Sequence, residues 1–114
     1  MSEDLFLKII ARDVPADIIY ETDNVLAFRD INPQAPLHVL IIPKTQIRTM
    51  NDIDVSQHAL VGELFTAAAV IAKQEGVAED GYRVVMNCGE AAGQTVFHIH
   101  LHLLAGRALH WPPG

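Results

Sequence analysis

Three histidines stand at alternate positions late in this 114-residue chain, in the stretch Gly93-Gln94-Thr95-Val96-Phe97-His98-Ile99-His100-Leu101-His102-Leu103-Leu104. A spacing of two is the period of a strand. It puts His98, His100 and His102 on one face and Phe97, Ile99, Leu101 and Leu103 on the other. At a rise of ~3.3 Å per residue, same-face neighbours lie about 6.6 Å apart, close enough for a row of imidazoles to touch one small anionic group. The apolar row belongs against a core, which leaves the histidines facing a groove or water. A solvated face, a His-x-His clamp for zinc or copper, and catalysis are the three uses such a row has. Hydroxyl or charged side chains would serve a wet face equally well. The preferred reading is therefore catalysis, with one ring as nucleophile or base while its neighbours fix its tautomer and stabilise charge.

Further groups with chemical capacity lie upstream. His38 interrupts the apolar run Leu37 to Ile42, which ends at Pro43 and reads as a central strand covered on both faces. A single histidine there is usually a satisfied core group; beside a later row of three, it becomes a candidate fourth member. Asp30 opens a loop to Pro36 stiffened by Pro33 and Pro36, where a carboxylate can cap an Asx turn or accept hydrogen bonds from a pair of ribose hydroxyls. The loop Cys88 to Gly93 carries two glycines that let backbone amides approach an oxyanion, although it lacks the spacing of a P-loop. Asn87 and Thr95 stand at its ends as side-chain donors, each equally suited to a turn hydrogen bond.

The elements that must position these groups read as follows. Leu5, Phe6, Ile9 and Ile10 predict a short amphipathic helix to about Arg12, begun by Ser2-Glu3-Asp4 and stopped by Pro15. Ile18 to Glu21 and Val25 to Arg29 form a hairpin around Thr22-Asp23-Asn24. After a polar connection from Thr45 to Ile53, Asp54 and Gln57 make a capping box. It leads into a long helix whose stripe is Leu60, Val61, Leu64, Phe65, Ala68 and Ile71, with Gly76 as its stop. Gly81 to Asn87 is another strand. The predicted fold is α+β: a five-stranded, mainly antiparallel sheet with one short N-terminal and one long central helix, both packed on one side. At this length the chain reads as a single domain, residues 1–114, with a tail at 105–114.

Bulk properties narrow the partners. The net charge of −6 and a pI near 5.3, without any cluster of Lys and Arg, exclude polymeric nucleic acid, whose backbone requires a basic stripe. One nucleotide phosphate remains within reach of a few amides and imidazoles. Cys88 is the sole cysteine, which excludes an intrachain disulfide and suits a reducing compartment. With an acidic start, no signal-like run and no 18 continuous apolar residues, no membrane association and a cytoplasmic location are expected.

The motif Gly93 to Leu104 resembles the His-x-His-x-His-x-x signature of the histidine triad superfamily. Asp30-Ile31-Asn32-Pro33-Gln34-Ala35-Pro36-Leu37-His38 and the ending Gly106-Arg107 through His110-Trp111-Pro112-Pro113-Gly114 resemble its Hint branch, the nucleoside phosphoramidases, and the likeness runs from about Leu5 to Gly114. It implies hydrolysis of purine nucleoside 5′-phosphoramidates, giving AMP and an amine, through a covalent nucleotidyl-histidine on His100. His102 and Thr95 would assist and His98 and His38 would orient and tune, with no cofactor and no metal. The resemblance also implies a nucleotide site for AMP, GMP or an adenosine-like phosphoramidate. Asp30 would take the ribose, and Leu5, Phe6, Ile9, Phe28 and Ile31 the base. Asn87 with Gly93, Gln94, Thr95 and Val96 would take the phosphate. It implies a homodimer whose sheet continues across two protomers, with Trp111 reaching the partner's site. Proton delivery to the leaving amine falls to Thr95 or to a protonated histidine. Two positions depart from the common pattern, Thr95 for serine and Phe97 for tyrosine; threonine keeps the hydroxyl. A dinucleoside polyphosphate hydrolase or nucleotidyl transferase of the same superfamily, and a nucleotide-binding scaffold, are the alternatives.

Overall fold

The computed structural model describes residues 5–114. The expected cap at Ser2 to Asp4 lies outside them. Helix α1 spans Leu5–Ile10. Strands β1 (Ile18–Glu21) and β2 (Val25–Arg29) follow as the predicted hairpin, then β3 (Leu37–Pro43). Helix α2 covers His58–Gln74, and β4 (Tyr82–Val85) and β5 (Leu101–Ala105) complete the chain. The five strands form one antiparallel sheet in the order β1-β2-β3-β5-β4.

Strand β3 lies at the centre and is buried along its whole length. Its alternation explains the layering. Leu37, Val39 and Ile41 join Leu101, Leu103 and Ala105 of β5 under Leu64, Ala67, Ala68 and Ile71 of α2. Leu40 and Ile42 face the other way and pack with Leu26, Phe28 and Val96 against Phe6 and Ile9 of α1. The helices thus occupy opposite faces, not one side as expected. A strand apolar on both faces must be covered on both, and the six residues of α1 supply the second cover.

The local signals upstream of α2 are those read in the sequence. Asp54 accepts from the Ser56 N–H while the Gln57 side chain accepts from the Asp54 N–H, closing the capping box. That box opens a single 3₁₀ turn, Val55–Gln57, which leads into α2. Phe65, expected in the buried stripe, is 52% exposed. It follows Leu64 by about 100° around the helix, and Ala67 and Ala72 fill the buried face instead. By length and composition α2 with its preceding turn could cross a membrane, yet one side is seated on the sheet core. Gly76, with φ 76°, ends the helix as expected.

Leu101 is fully buried between β3 and α2. Leu101→Ala is expected to lower stability by about 2–5 kcal/mol in urea denaturation, whereas Glu79→Ala, on an exposed turn, should change it by under about 0.5 kcal/mol.

Candidate active site

The pairing of β3 with β5 sets His38 opposite Leu104 and Leu40 opposite His102. His38 and His102 are therefore diagonal neighbours on the α1 face, and His38 Nε2 lies 2.9 Å from His102 Nδ1. The rings of His100 and His102 follow at 5.0 Å between centroids. Phe6 of α1 meets His100 edge-on at 5.1 Å and His98 at 5.7 Å. All four imidazoles collect in one place beneath α1.

The route differs from a continuous strand. Regular β5 begins only at Leu101, so His98 and His100 precede it in irregular backbone. Two interactions divert the chain: the Ile99 N–H donates to the Ile47 carbonyl at 2.7 Å, and a ring nitrogen of His100 bonds the carbonyl of His98 at 2.8 Å. The side-chain alternation survives, with Ile99, Leu101 and Leu103 all in the α2 core, while Phe97 is only half-buried and carries the Arg48 guanidinium over its ring at 5.0 Å.

Partners determine the tautomers, because a carbonyl only accepts and an N–H only donates. The His98 carbonyl requires the proton of His100 on Nδ1, which leaves Nε2 with a free lone pair. The Gln34 backbone N–H donates to His38 Nδ1 at 3.0 Å, which puts the His38 proton on Nε2. That proton points at His102 Nδ1, with Asp30 Oδ2 at 3.4 Å as a second acceptor. His102 consequently holds its own proton on Nε2. A nucleophilic lone pair and an N–H donor thus stand on adjacent rings.

Electrostatics keep these rings neutral. Burial pushes His100 below its ordinary pKa of 6.5, opposed by the His98 carbonyl and the Asp30 charge. His102 is lowered to about 4, first by burial and then by the proximity of His100 and His38. His38 is lowered by burial against the pull of Asp30. His98 is also lowered by burial, and its fully buried ring donates from Nε2 to the Pro43 carbonyl at 2.7 Å. Its Nδ1 has no hydrogen-bond partner among the described residues. Enclosed so completely, His98 braces the segment and does not face a ligand.

The other expected residues divide into those set around the histidines and those used to build the loops. Asp30 makes the Asx turn, Oδ1 accepting from the Asn32 N–H at 2.8 Å, while its second oxygen faces His38. Asn87 lies two residues past the end of β4, whose last paired residue, Val85, stands opposite His102. Thr95 is exposed and Val96 is buried against α1. The N–H groups of Gly93 and Gln94 are spent on the Glu90 and Gly89 carbonyls, closing a 3₁₀ turn; those of Thr95 and Val96 are not used in that turn. Gln94 is buried, its side chain accepting from the Gly89 N–H and donating to the Arg48 and Val96 carbonyls. It shapes the loop from inside. Phe6, Ile9 and Phe28 form a buried apolar floor with Leu5 at its margin, whereas Ile31 is 99% exposed and Trp111 83% exposed. Sequence reasoning missed the Gln34 N–H and the Pro43 carbonyl, and backbone groups leave no signature in residue identity.

Asp30, His38 and His102 each offer one ligand atom within 4.8 Å of the others. Two nitrogens bound to one tetrahedral ion at 2.0–2.1 Å would stand about 3.3 Å apart. His38 and His102 are closer than that and share a proton, so this pair is arranged as a hydrogen bond and not as a metal clamp.

The sequence profile of the HIT domain matches residues 11–109. The chain is 55% identical to a purine nucleoside phosphoramidase of Escherichia coli K12, over 94% of this chain and 90% of that protein. It is 44% identical to an adenylylsulfatase HINT1 of Arabidopsis thaliana, over 99% and 78%. A crystal structure of a HIT family hydrolase from Legionella pneumophila superposes with a TM-score of 0.95 at 50% identity, covering 96% of this chain and 98% of that one. With four imidazoles gathered as described and matches of this extent, the chain belongs to the HIT domain family.

Proposed function

We propose that this protein hydrolyses purine nucleoside 5′-phosphoramidates. The observation that carries the reading is the pair of rings whose tautomers are fixed in opposite senses: His100 with its lone pair on Nε2, His102 with a proton on Nε2. The Escherichia coli relative named a purine nucleoside phosphoramidase supports the substrate class.

In the first step His100 Nε2 attacks the α-phosphorus, the P–N bond breaks, and the amine leaves with an added proton. His102 Nε2–H and the loop amides at Thr95 and Val96 donate to the non-bridging oxygens as charge gathers there. Neutral imidazoles favour the Thr95 hydroxyl over a protonated histidine as the relay to the leaving nitrogen. Water then attacks the nucleotidyl-histidine, its proton returns along the Thr95 hydroxyl, the bond from phosphorus to His100 breaks, and AMP leaves with the His100 lone pair restored. Asp30 would receive the ribose hydroxyls with the base over Phe6, Ile9 and Phe28. The reading includes a cytoplasmic homodimer and no metal. The single cysteine supports a reducing compartment.

The following measurements check this. His100→Asn should cut turnover of an adenosine phosphoramidate by about 10⁴-fold or more and abolish any trapped adenylyl-protein; a persisting covalent adduct would remove His100 from its role. His102→Asn, which keeps an acceptor for His38 but has no donor where His102 Nε2–H stood, should cost about 10²–10³-fold in turnover. Activity should persist under a strong chelator, and removing Trp111 to Gly114 should alter amine selectivity and leave a smaller dimer population in sedimentation. Finally, a lowered pKa keeps His100 unprotonated down through pH 6.5, so kcat/KM should hold level there and fall only in more acid solution. Stability has the same sign. The unfolded chain takes up histidine protons near 6.5 while the folded one resists until His102 titrates at about 4, so the melting temperature should drop progressively between those values as pH falls.

A further inference from the structure

Arg107 lies just past the end of β5, exposed, and outside the row of groups placed around the nucleotide. Its Nε donates to the Gln34 carbonyl at 3.0 Å, and its Nη1 donates to the Ala108 carbonyl at 3.0 Å. Residue 34 is the one whose N–H bonds His38 Nδ1. Its side chain donates to the Asn32 carbonyl, within the same loop. Arg107 is the bond that ties this residue to the sheet from outside. Next to it, Gly106 adopts φ 93° and lies so close to Pro36 that a Cβ there would come within 2.8 Å of the proline ring. The strand exit and the loop are therefore fitted to each other at two consecutive residues.

The consequence lies in the direction of the His38–His102 hydrogen bond. Two polarities are chemically available. In one, His38 donates from Nε2 and His102 presents an N–H toward the phosphate. In the other, His38 carries its proton on Nδ1, accepts from His102 Nδ1, and His102 presents a bare lone pair. That second form repels a phosphoryl oxygen. An N–H from Gln34 on His38 Nδ1 forbids it, and Asp30 Oδ2 at 3.4 Å from His38 Nε2 favours the same sense from the other end. We propose that Arg107 is a positioning residue: by gripping Gln34 it keeps the Gln34 N–H on His38 and so fixes which nitrogen of His102 bears the proton. This rests on the phosphoramidate reading for its catalytic meaning, but the tautomer itself is a property of the free protein.

The test is long-range ¹H–¹⁵N spectroscopy of the imidazoles in the full-length protein at neutral pH, without ligand, beside steady-state kinetics. The native protein should show His38 and His102 protonated on Nε2 only. Arg107→Met should give averaged ¹⁵N shifts at both rings and lower kcat about tenfold with little change in KM, a loss the size of one hydrogen bond at the transition state. Arg107→Lys, whose ammonium can still donate to the carbonyl, should restore most of both. Gly106→Ala, which pushes Pro36 from the same side, should reproduce the averaged shifts through a different contact. Unchanged ring tautomers in Arg107→Met would overturn the proposal, whatever happens to turnover or in Gly106→Ala. If the tautomers respond while the native protein hydrolyses no phosphoramidate, the positioning role stands and the substrate assignment falls.

Discussion

The site depends on the register between β3 and β5. Side chains on a strand alternate, so slipping this pairing by one residue would carry His102 to the α2 face and Leu101 or Leu103 into its place. The apolar rows prevent the slip. Leu37, Val39 and Ile41 on one strand and Leu101, Leu103 and Ala105 on the other all need the same buried layer, and a one-residue slip would take one set out of it. The chemistry is thus aligned by the core beneath it, and the 2.9 Å bond between His38 and His102 follows from hydrophobic burial on the opposite face.

That arrangement explains how a cluster of like groups is tolerated. Imidazoles as close as His38, His100 and His102 would repel one another if protonated, and burial would make each charge costly. Both effects act in the same direction and leave the rings neutral. Neutral rings can then be ordered by hydrogen bonds into a defined set of donors and acceptors. The protein uses backbone carbonyls and one backbone N–H for this, at His98, Pro43 and Gln34. Such groups are fixed by the fold and cannot ionise.

Much of this was legible in the chain alone, for identifiable reasons. The hairpin, the central strand, the capping box at Asp54 and Gln57, and the histidine face follow from periods of two and from turn chemistry, which are local. The layering did not follow. That α1 covers the face opposite α2 depends on β3 being apolar on both sides, and the sequence reads equally well with both helices together. His98 and His100 lie outside regular strand because Ile99 bonds Ile47, fifty-two positions earlier, a pairing no local pattern encodes. Gln94 reads as a polar loop residue but is buried as a strap, since an amide side chain can replace three backbone partners at once.

The two covers of the sheet differ greatly in size. Helix α2 has seventeen residues and the larger core, whereas α1 has six and rests on Phe6 and Ile9. A helix so short has no stability of its own in water. It is held at its end by Arg12, which reaches back to the Ile9 and Ile10 carbonyls and bonds Glu21, itself shared with Lys44. Phe6 is the part of that thin cover that touches His98 and His100, so the imidazoles are roofed by the layer with the least structure of its own, while the thicker layer on the far side holds the strands aligned.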